Sequence, residues 1–342
     1  MLKTINFTRN GFVHGGICCI ITVFICASCA QQAPYYEESG SVFHTLYHIK
    51  YRSPEILTDK IDAELQAFNL SLNPFNPNSI LSKVNRNEDV EVDDRFATVF
   101  NKAMEVSKNS GGVFDATAAP LINLWGFGFE KSDSVSQQKI DSILSFVGYK
   151  KIRLNGRKVI KDDPRIMLNF SAIAKGYASD VVAALLEREG VENYMVEIGG
   201  EVVSKGKNPN GVCWQIGINK PEDDRSGIQN EIEFKIMPCR KSGIATSGNY
   251  RNFYIRDGKK YAHTIDPHTG YPSEQSILSA TIIAPDCMTA DAYATAFMAM
   301  GVEPAIAMAE KIPEIEYCII YPGSTLGSYQ IKYSEGIKSM LR

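Results

Sequence analysis

Two turn signals limit the architectures open to this chain. Asn155-Gly156 separates the strand-like residues 150–154 and 158–161, and Asp257-Gly258 separates residues 251–256 and 260–265. A two-residue hairpin turn needs positive φ at its central positions, which Asn-Gly and Asp-Gly supply at little cost. Both pairs therefore predict antiparallel hairpins. Around them the pattern is mixed. Residues 42–51 alternate like a strand. Residues 55–70, 95–108 and 136–146 read as amphipathic helices, and Gly111-Gly112 stops the second. A short strand at 166–169 is expected to feed a helix over 173–189. Further strands are expected at 193–198, 213–219, 230–237, 315–321 and 327–333, with helices at 287–300 and 303–311. Many hairpins and few strand–helix–strand alternations argue for an α+β fold with mixed, largely antiparallel sheets and flanking helices.

The N-terminus reads as a targeting segment. Lys3 and Arg9 precede an apolar run over 16–27, which is too short to cross a bilayer but suits a signal-peptide core. The run ends in Cys26-Ala27-Ser28-Cys29, which resembles a bacterial lipoprotein cleavage box with Cys29 as the lipidated residue, although Cys26 stands where Leu is usual. The alternatives are an ordinary cleaved signal or an uncleaved anchor. The expected organisation is a signal peptide over 1–28, a polar tether over 29–41 and one catalytic unit over 42–342. Such a chain is exported and anchored by lipid to a bacterial membrane, at the periplasmic face of the inner membrane or at the outer membrane. Its 342 residues are 44% hydrophobic, enough for a full core. The net charge of -3 shows no basic excess and so gives no support for nucleic-acid binding.

Beyond Cys29 lie Cys213, Cys239, Cys287 and Cys318, widely spaced and without a CxxC. Three pairings are open to four thiols; the plainer expectation is four small buried hydrophobes.

Three segments carry residue types suited to chemistry. Asp291 and Thr295 are four apart and share one helix face, among Ala, Tyr, Phe and Met. A carboxylate there needs a partner or a metal, and one carboxylate with one hydroxyl suits Mg²⁺; a helix-capping or hydrogen-bonded core Asp is the alternative. In Ser171-Ala172-Ile173-Ala174-Lys175-Gly176-Tyr177, Ser171 reads as an N-cap and Lys175 falls in the first helical turn. The helix dipole disfavours a cation there unless a phosphate is bound, although a solvated surface Lys is also open. His263 opens His263-Thr264-Ile265-Asp266-Pro267-His268-Thr269-Gly270, a turn made rigid by Pro267 and Gly270. Its imidazole is suited to a general base, or it is a structural turn residue. No P-loop and no GxGxxG pattern occurs, so kinase and Rossmann readings have no support.

These segments, in this order, resemble the ApbE family of FAD:protein FMN transferases from about residue 42 to 310. The resemblance is carried by Phe114-Asp115 with Thr117 and Pro120, by Leu124-Trp125-Gly126-Phe127-Gly128, and by the Lys175 segment. Ala245-Thr246-Ser247-Gly248, the His263 segment, and Ala290-Asp291 with Thr295-Ala296 complete it. It implies Mg²⁺-dependent cleavage of the FAD diphosphate, transfer of FMN through a phosphoester to a Thr or Ser of a target flavoprotein such as a membrane redox pump subunit, and release of AMP. It further implies Asp291, Thr295 and the Ala172 carbonyl as metal ligands, and His263 as the base. FAD contacts fall on Phe43, Phe75, Val113, Phe114, Asp115, Asn169, Lys175 and Ile265. Asn169 stands where members often have Asp, and Phe43 and Phe75 stand where they have Met and Tyr. A Mg²⁺-dependent FAD pyrophosphatase and a non-catalytic FAD-binding lipoprotein are the competing readings.

Overall fold

The structure is a computed structural model that describes residues 33–130, 134–221, 231–249, 253–256, 259–262, 264–273, 277–325 and 327–341, with only the backbone course of 253–256 and 259–262. The signal segment, Cys29, the Asp257-Gly258 turn and His263 lie outside the described residues. Ala33–Arg342 make up one structural unit.

This unit begins with β1 (Tyr35–Val42) and β2 (Thr45–Arg52), then α1 (Thr58–Leu72), α2 (Ile80–Asn85), α3 (Asp94–Asn109), α4 (Ala119–Leu124) and α5 (Gln137–Leu144). A hairpin of β3 (Ile152–Asn155) and β4 (Lys158–Lys161) precedes α6 (Ala174–Arg188). Then come β5 (Tyr194–Ile198), β6 (Glu201–Lys205), β7 (Ile216–Asn219), β8 (Ile232–Ile236), β9 (Ser242–Gly248), β10 (Phe253–Arg256), β11 (Lys259–Ala262) and β12 (Ser279–Ala284). The chain closes with α7 (Cys287–Met300), α8 (Val302–Ala309), β13 (Glu316–Pro322), β14 (Tyr329–Tyr333) and α9 (Glu335–Lys338).

Eight strands form one sheet in the order β1-β2-β5-β6-β9-β12-β13-β14, and every pairing in it is antiparallel. The α+β expectation is met, and so are both hairpins. Alternation along each strand sends side chains to two separate cores. Val203, Ala245, Ile282 and Ile319 face the main core with the helices. Val202, Ile244, Ile283 and Ile320 face a smaller core with Ile218 and Ile236 of the β7–β8 arm and Ile337 of α9. A strand buried on both faces shows no polar alternation, which is why β6, β9 and β12 escape a search for period two. Helix α7 packs on β9 and β12 and against α6, and it is buried almost all round. Its many alanines let neighbouring backbones approach closely.

Four expectations need correction. Residues 35–42 belong to β1 rather than to a tether, in full register with β2 from Tyr35↔Arg52 to Val42↔Thr45. An edge strand needs only one packed face, so its Glu and Ser content does not exclude pairing. Residues 166–169 form no strand; Met167 makes a single parallel bridge to Ala118. Ser171 is not the N-cap of α6, which starts at Ala174 after Ile173. Cys213 and Cys239 are joined by a disulfide with Cα atoms 4.9 Å apart, whereas Cys287 and Cys318 are buried free thiols, as the plainer expectation has it. The disulfide closes the base of the β7–β8 arm. Among the described residues no helix is long and apolar enough to cross a membrane.

Candidate active site at the crossing of two helices

The site is built where the first turn of α6 crosses α7. Asn169 sets the approach: its N–H donates to the Ala116 carbonyl at 2.8 Å, and its Oδ1 accepts the Ser171 N–H at 2.7 Å. The chain then turns through Ser171, Ala172 and Ile173, and Phe170 O accepts the Ala174 N–H at 2.7 Å. In a regular helix the Gly176 N–H would donate to the Ala172 carbonyl four residues back. Here it donates to Asp291 Oδ2 at 3.0 Å. Because α6 starts at Ala174, this N–H is one of the first-turn donors that have no intrahelical acceptor.

Asp291 is therefore a hydrogen-bonded core acid that caps a first-turn donor of α6. The N-terminal donors of α7 are met by two other carboxylates. Asp286 accepts the Thr289 N–H at 2.7 Å, and Asp180 of α6 accepts the Cys287 and Met288 N–H groups at 2.9 and 2.8 Å. One turn later Asp291 points back at α6. Only 3% of it is exposed, and burial pushes its carboxyl up while Lys175 and the Gly176 N–H pull it down. A further turn on, Thr295 Oγ1 lies 3.3 Å from Ser247 Oγ of β9.

Lys175 Nζ pairs with Glu201 Oε1 at 2.5 Å. Burial works against the ammonium, but Glu201 and then Asp291 outweigh it and raise its pKa, so the group is charged at neutral pH. Two buried carboxyls thus share one ammonium, and burial pushes the Glu201 carboxyl up to about 8, so the second acid needs a proton or a cation. A hard cation meets that need. No group of three His, Cys, Asp or Glu residues capable of holding a metal occurs among the described residues. A cation here would take one carboxylate, a carbonyl, a hydroxyl, water and substrate oxygens. Mg²⁺ accepts that mixed donor set, so Asp291, Thr295 and Ala172 O fit the implied metal.

The β1–β2 turn carries an aromatic cluster. Phe43 and His44 form the two-residue turn between β1 and β2, with φ of 52° and 61°. Non-glycine residues at positive φ cost about 1 kcal/mol or more each, and such strain concentrates at functional sites. Phe43 packs on Phe68 at 4.8 Å, and His44 meets Phe75 edge-on at 4.8 Å. Phe75 is 51% exposed. The next residue, Thr45, faces Gly199, and a Cβ on Gly199 would lie 2.9 Å from Lys175 Cδ. Through Thr45 and Gly199, the turn that carries Phe43 and His44 is therefore tied to the stem of Lys175.

A family model described as the ApbE family matches residues 43–319. The chain belongs to the ApbE family. A relative from Vibrio cholerae, named FAD:protein FMN transferase, is 37% identical over 302 residues, covering 85% of this chain and 89% of that protein. One of the same name from Haemophilus influenzae is 35% identical over 322 residues, covering 89% and 92%. The solved structure titled Flavin Transferase ApbE from Vibrio cholerae superposes with a TM-score of 0.80 at 35% identity, covering 90% of this chain and 99% of that one.

Not every residue singled out by the ApbE-family resemblance is free for a ligand. Phe114 is 5% exposed and its ring lies in the main core. Asp115 is a clasp: Oδ1 accepts the Thr117 N–H and Oγ1–H, both at 2.7 Å, and Oδ2 accepts the Tyr149 N–H at 2.7 Å. That leaves the half-buried Val113 and the backbone of this loop. The loop and the turn after position 263 meet at Gly112, whose added Cβ would lie 3.3 Å from His268 Nε2. The turn itself is well braced. Ile265 bridges Pro272, and the Trp125 indole N–H donates to Gly270 O at 2.7 Å.

Sequence reasoning missed Glu201, Asp180 and His44. Glu201 had a signal: an acid opens the apolar pair Val202-Val203 directly after Gly199-Gly200. The part played by Gly176 was invisible, because it depends on α7. A Cβ there would lie 2.3 Å from Cys287 O and 2.8 Å from Asp291 Cβ. The first contact is backbone and cannot swing aside, so Gly176→Ala is expected to cost about 3 kcal/mol, the upper part of the overpacking range. A denaturant midpoint unchanged from wild type would show that the two helices are not locked at this point.

Proposed function

We propose that this chain transfers FMN from FAD to a Thr or Ser hydroxyl of a target flavoprotein, using Mg²⁺ and releasing AMP. The observation that carries the reading is the cluster of half-buried Lys175 with the buried acids Glu201 and Asp291 at the α6–α7 crossing, two carboxyls to one ammonium. The name of the Vibrio cholerae relative supports the reaction.

Lys175 would hold diphosphate oxygens, and the Phe43–Phe75 surface would carry the ring system. Mg²⁺ held by Asp291, Thr295 and the Ala172 carbonyl would neutralise the diphosphate and stabilise charge on the departing AMP. The target hydroxyl oxygen attacks the phosphorus of the FMN half as the bond to the AMP oxygen breaks, and that oxygen keeps the electron pair. The hydroxyl proton passes to His263, the proposed base. We place the chain outside the cytoplasm, anchored by lipid at Cys29. The Cys213–Cys239 disulfide supports an oxidising compartment.

Incubation of an exported flavoprotein domain with FAD, Mg²⁺ and this chain is expected to give an adduct heavier by one FMN, seen by intact-mass spectrometry. Free FMN and AMP without an adduct would instead make the chain a pyrophosphatase. Unchanged FAD would make it a carrier.

A further inference from the structure

The site contains one buried acid that the proposed reaction does not use. Glu201 opens β6 and is 4% exposed. Its Oε1 pairs with Lys175 Nζ at 2.5 Å, and its Oε2 is buried with no hydrogen-bond partner. The turn before it is fitted to the same lysine. Gly199 has φ of +65° and no room for a side chain: an added Cβ would lie 2.9 Å from Lys175 Cδ and 3.0 Å from Thr45. The turn thus packs on the stem of Lys175 while the residue after it grips the head. Glu197 pins the turn, since its Oε1 accepts the Gly200 N–H at 2.9 Å and its Oε2 lies 2.6 Å from His48 Nδ1. The mount is therefore rigid, whereas a free lysine stem samples many rotamers.

The partner choice matters as much as the grip. Asp291 also attracts the ammonium, yet the ion pair is made with Glu201. An ammonium seated on Asp291 would compete with a metal for that carboxylate. An ammonium seated on Glu201 leaves Asp291 to the metal, and it keeps two of its three donors for phosphate oxygens.

We propose that Glu201 is a positioning residue for the transfer reaction: from the β5–β6 turn it aims Lys175 at the FAD diphosphate and holds it off Asp291. The inference rests on the FAD and Mg²⁺ reading given above. It assigns Glu201 no contact with the reacting atoms; the whole effect passes through Lys175.

That dependence gives the test. Glu201→Gln, Lys175→Met and the double variant are titrated with FAD by flavin fluorescence at several Mg²⁺ concentrations, with melting curves in parallel. Glu201→Gln is expected to weaken FAD binding about tenfold, the scale of one charge-assisted hydrogen bond, and to raise the Mg²⁺ concentration needed for half-maximal binding. In the Lys175→Met background the same change is expected to cost less than about twofold, because its target is gone. A general packing role would move the melting temperature and cost the same in both backgrounds, which overturns the proposal. So does wild-type affinity and Mg²⁺ dependence in Glu201→Gln. Should that variant fail to fold, the double variant removes both charges together and is compared with Lys175→Met alone: equal affinities support the role, and a further tenfold loss overturns it. A wild-type chain that binds no FAD overturns this inference together with the reading beneath it, whereas normal wild-type binding with an inert Glu201→Gln removes the role of Glu201 alone.

Discussion

Asp291→Ala is expected to lower FMN transfer by at least about 1,000-fold, or about 4 kcal/mol at 1.36 kcal/mol per decade. It deletes the sole carboxylate proposed to hold Mg²⁺, and a hard cation replaces a lost anionic ligand poorly. Stability of the metal-free chain is expected to change far less. In the metal-free chain Asp291 is a 3%-exposed acid that shares one ammonium with Glu201, and its removal lets Lys175 and Glu201 balance one for one. Metal-free Asp291→Ala is therefore expected to melt close to wild type, the relieved charge offsetting the Gly176 N–H left without its acceptor. Wild type is expected to gain stability from Mg²⁺ with FAD by mass action, and the variant to gain far less. Scanning calorimetry with and without both ligands reads this directly. Full activity in folded Asp291→Ala would remove the metal from this helix. Thr295→Ala is the milder companion, since water replaces a neutral hydroxyl and Ser247 lies 3.3 Å away.

His263→Ala is expected to keep FAD affinity within about threefold and to lose transfer by about 100- to 10,000-fold, the usual range for a positioned general base. A base acts in the transition state, so its loss falls on the chemical step rather than on binding. The described neighbours make the substitution clean. Thr264 is 7% exposed, and the turn after it is braced by Ile265–Pro272 and by Trp125 on Gly270. The folded turn should survive the loss of one imidazole. Single-turnover adduct formation set beside an FAD titration separates the two effects. Transfer at the wild-type rate would send the search for a base to the target protein or to a metal-bound water.

Sequence alone determined the local parts. Asn-Gly and Asp-Gly turns need no partner elsewhere, so both hairpins were legible. The 3.6-residue period placed Asp291 and Thr295 on one face of α7 before any fold was known. Lys175, a cation where the helix dipole disfavours one, singled out the start of α6, because the dipole is also local. Tertiary structure alone decided every contact between distant segments. Nothing near Tyr35–Val42 announces a strand; β2 makes it one. β6 and β12 are buried on two sides by helices and by the β7–β8 arm, so they lack the alternation that marks a half-exposed strand. Cys213 meets Cys239 because β7 pairs with β8. Gly176 reads as an ordinary helix residue until α7 crosses within contact of it and Asp291 takes its N–H. Glu201 is an acid in an apolar strand until Lys175, from another element, pairs with it. Propensity and period are properties of neighbours in the chain. Burial, ion pairing and close backbone approach are properties of neighbours in space, and the chemistry of this site resides in them.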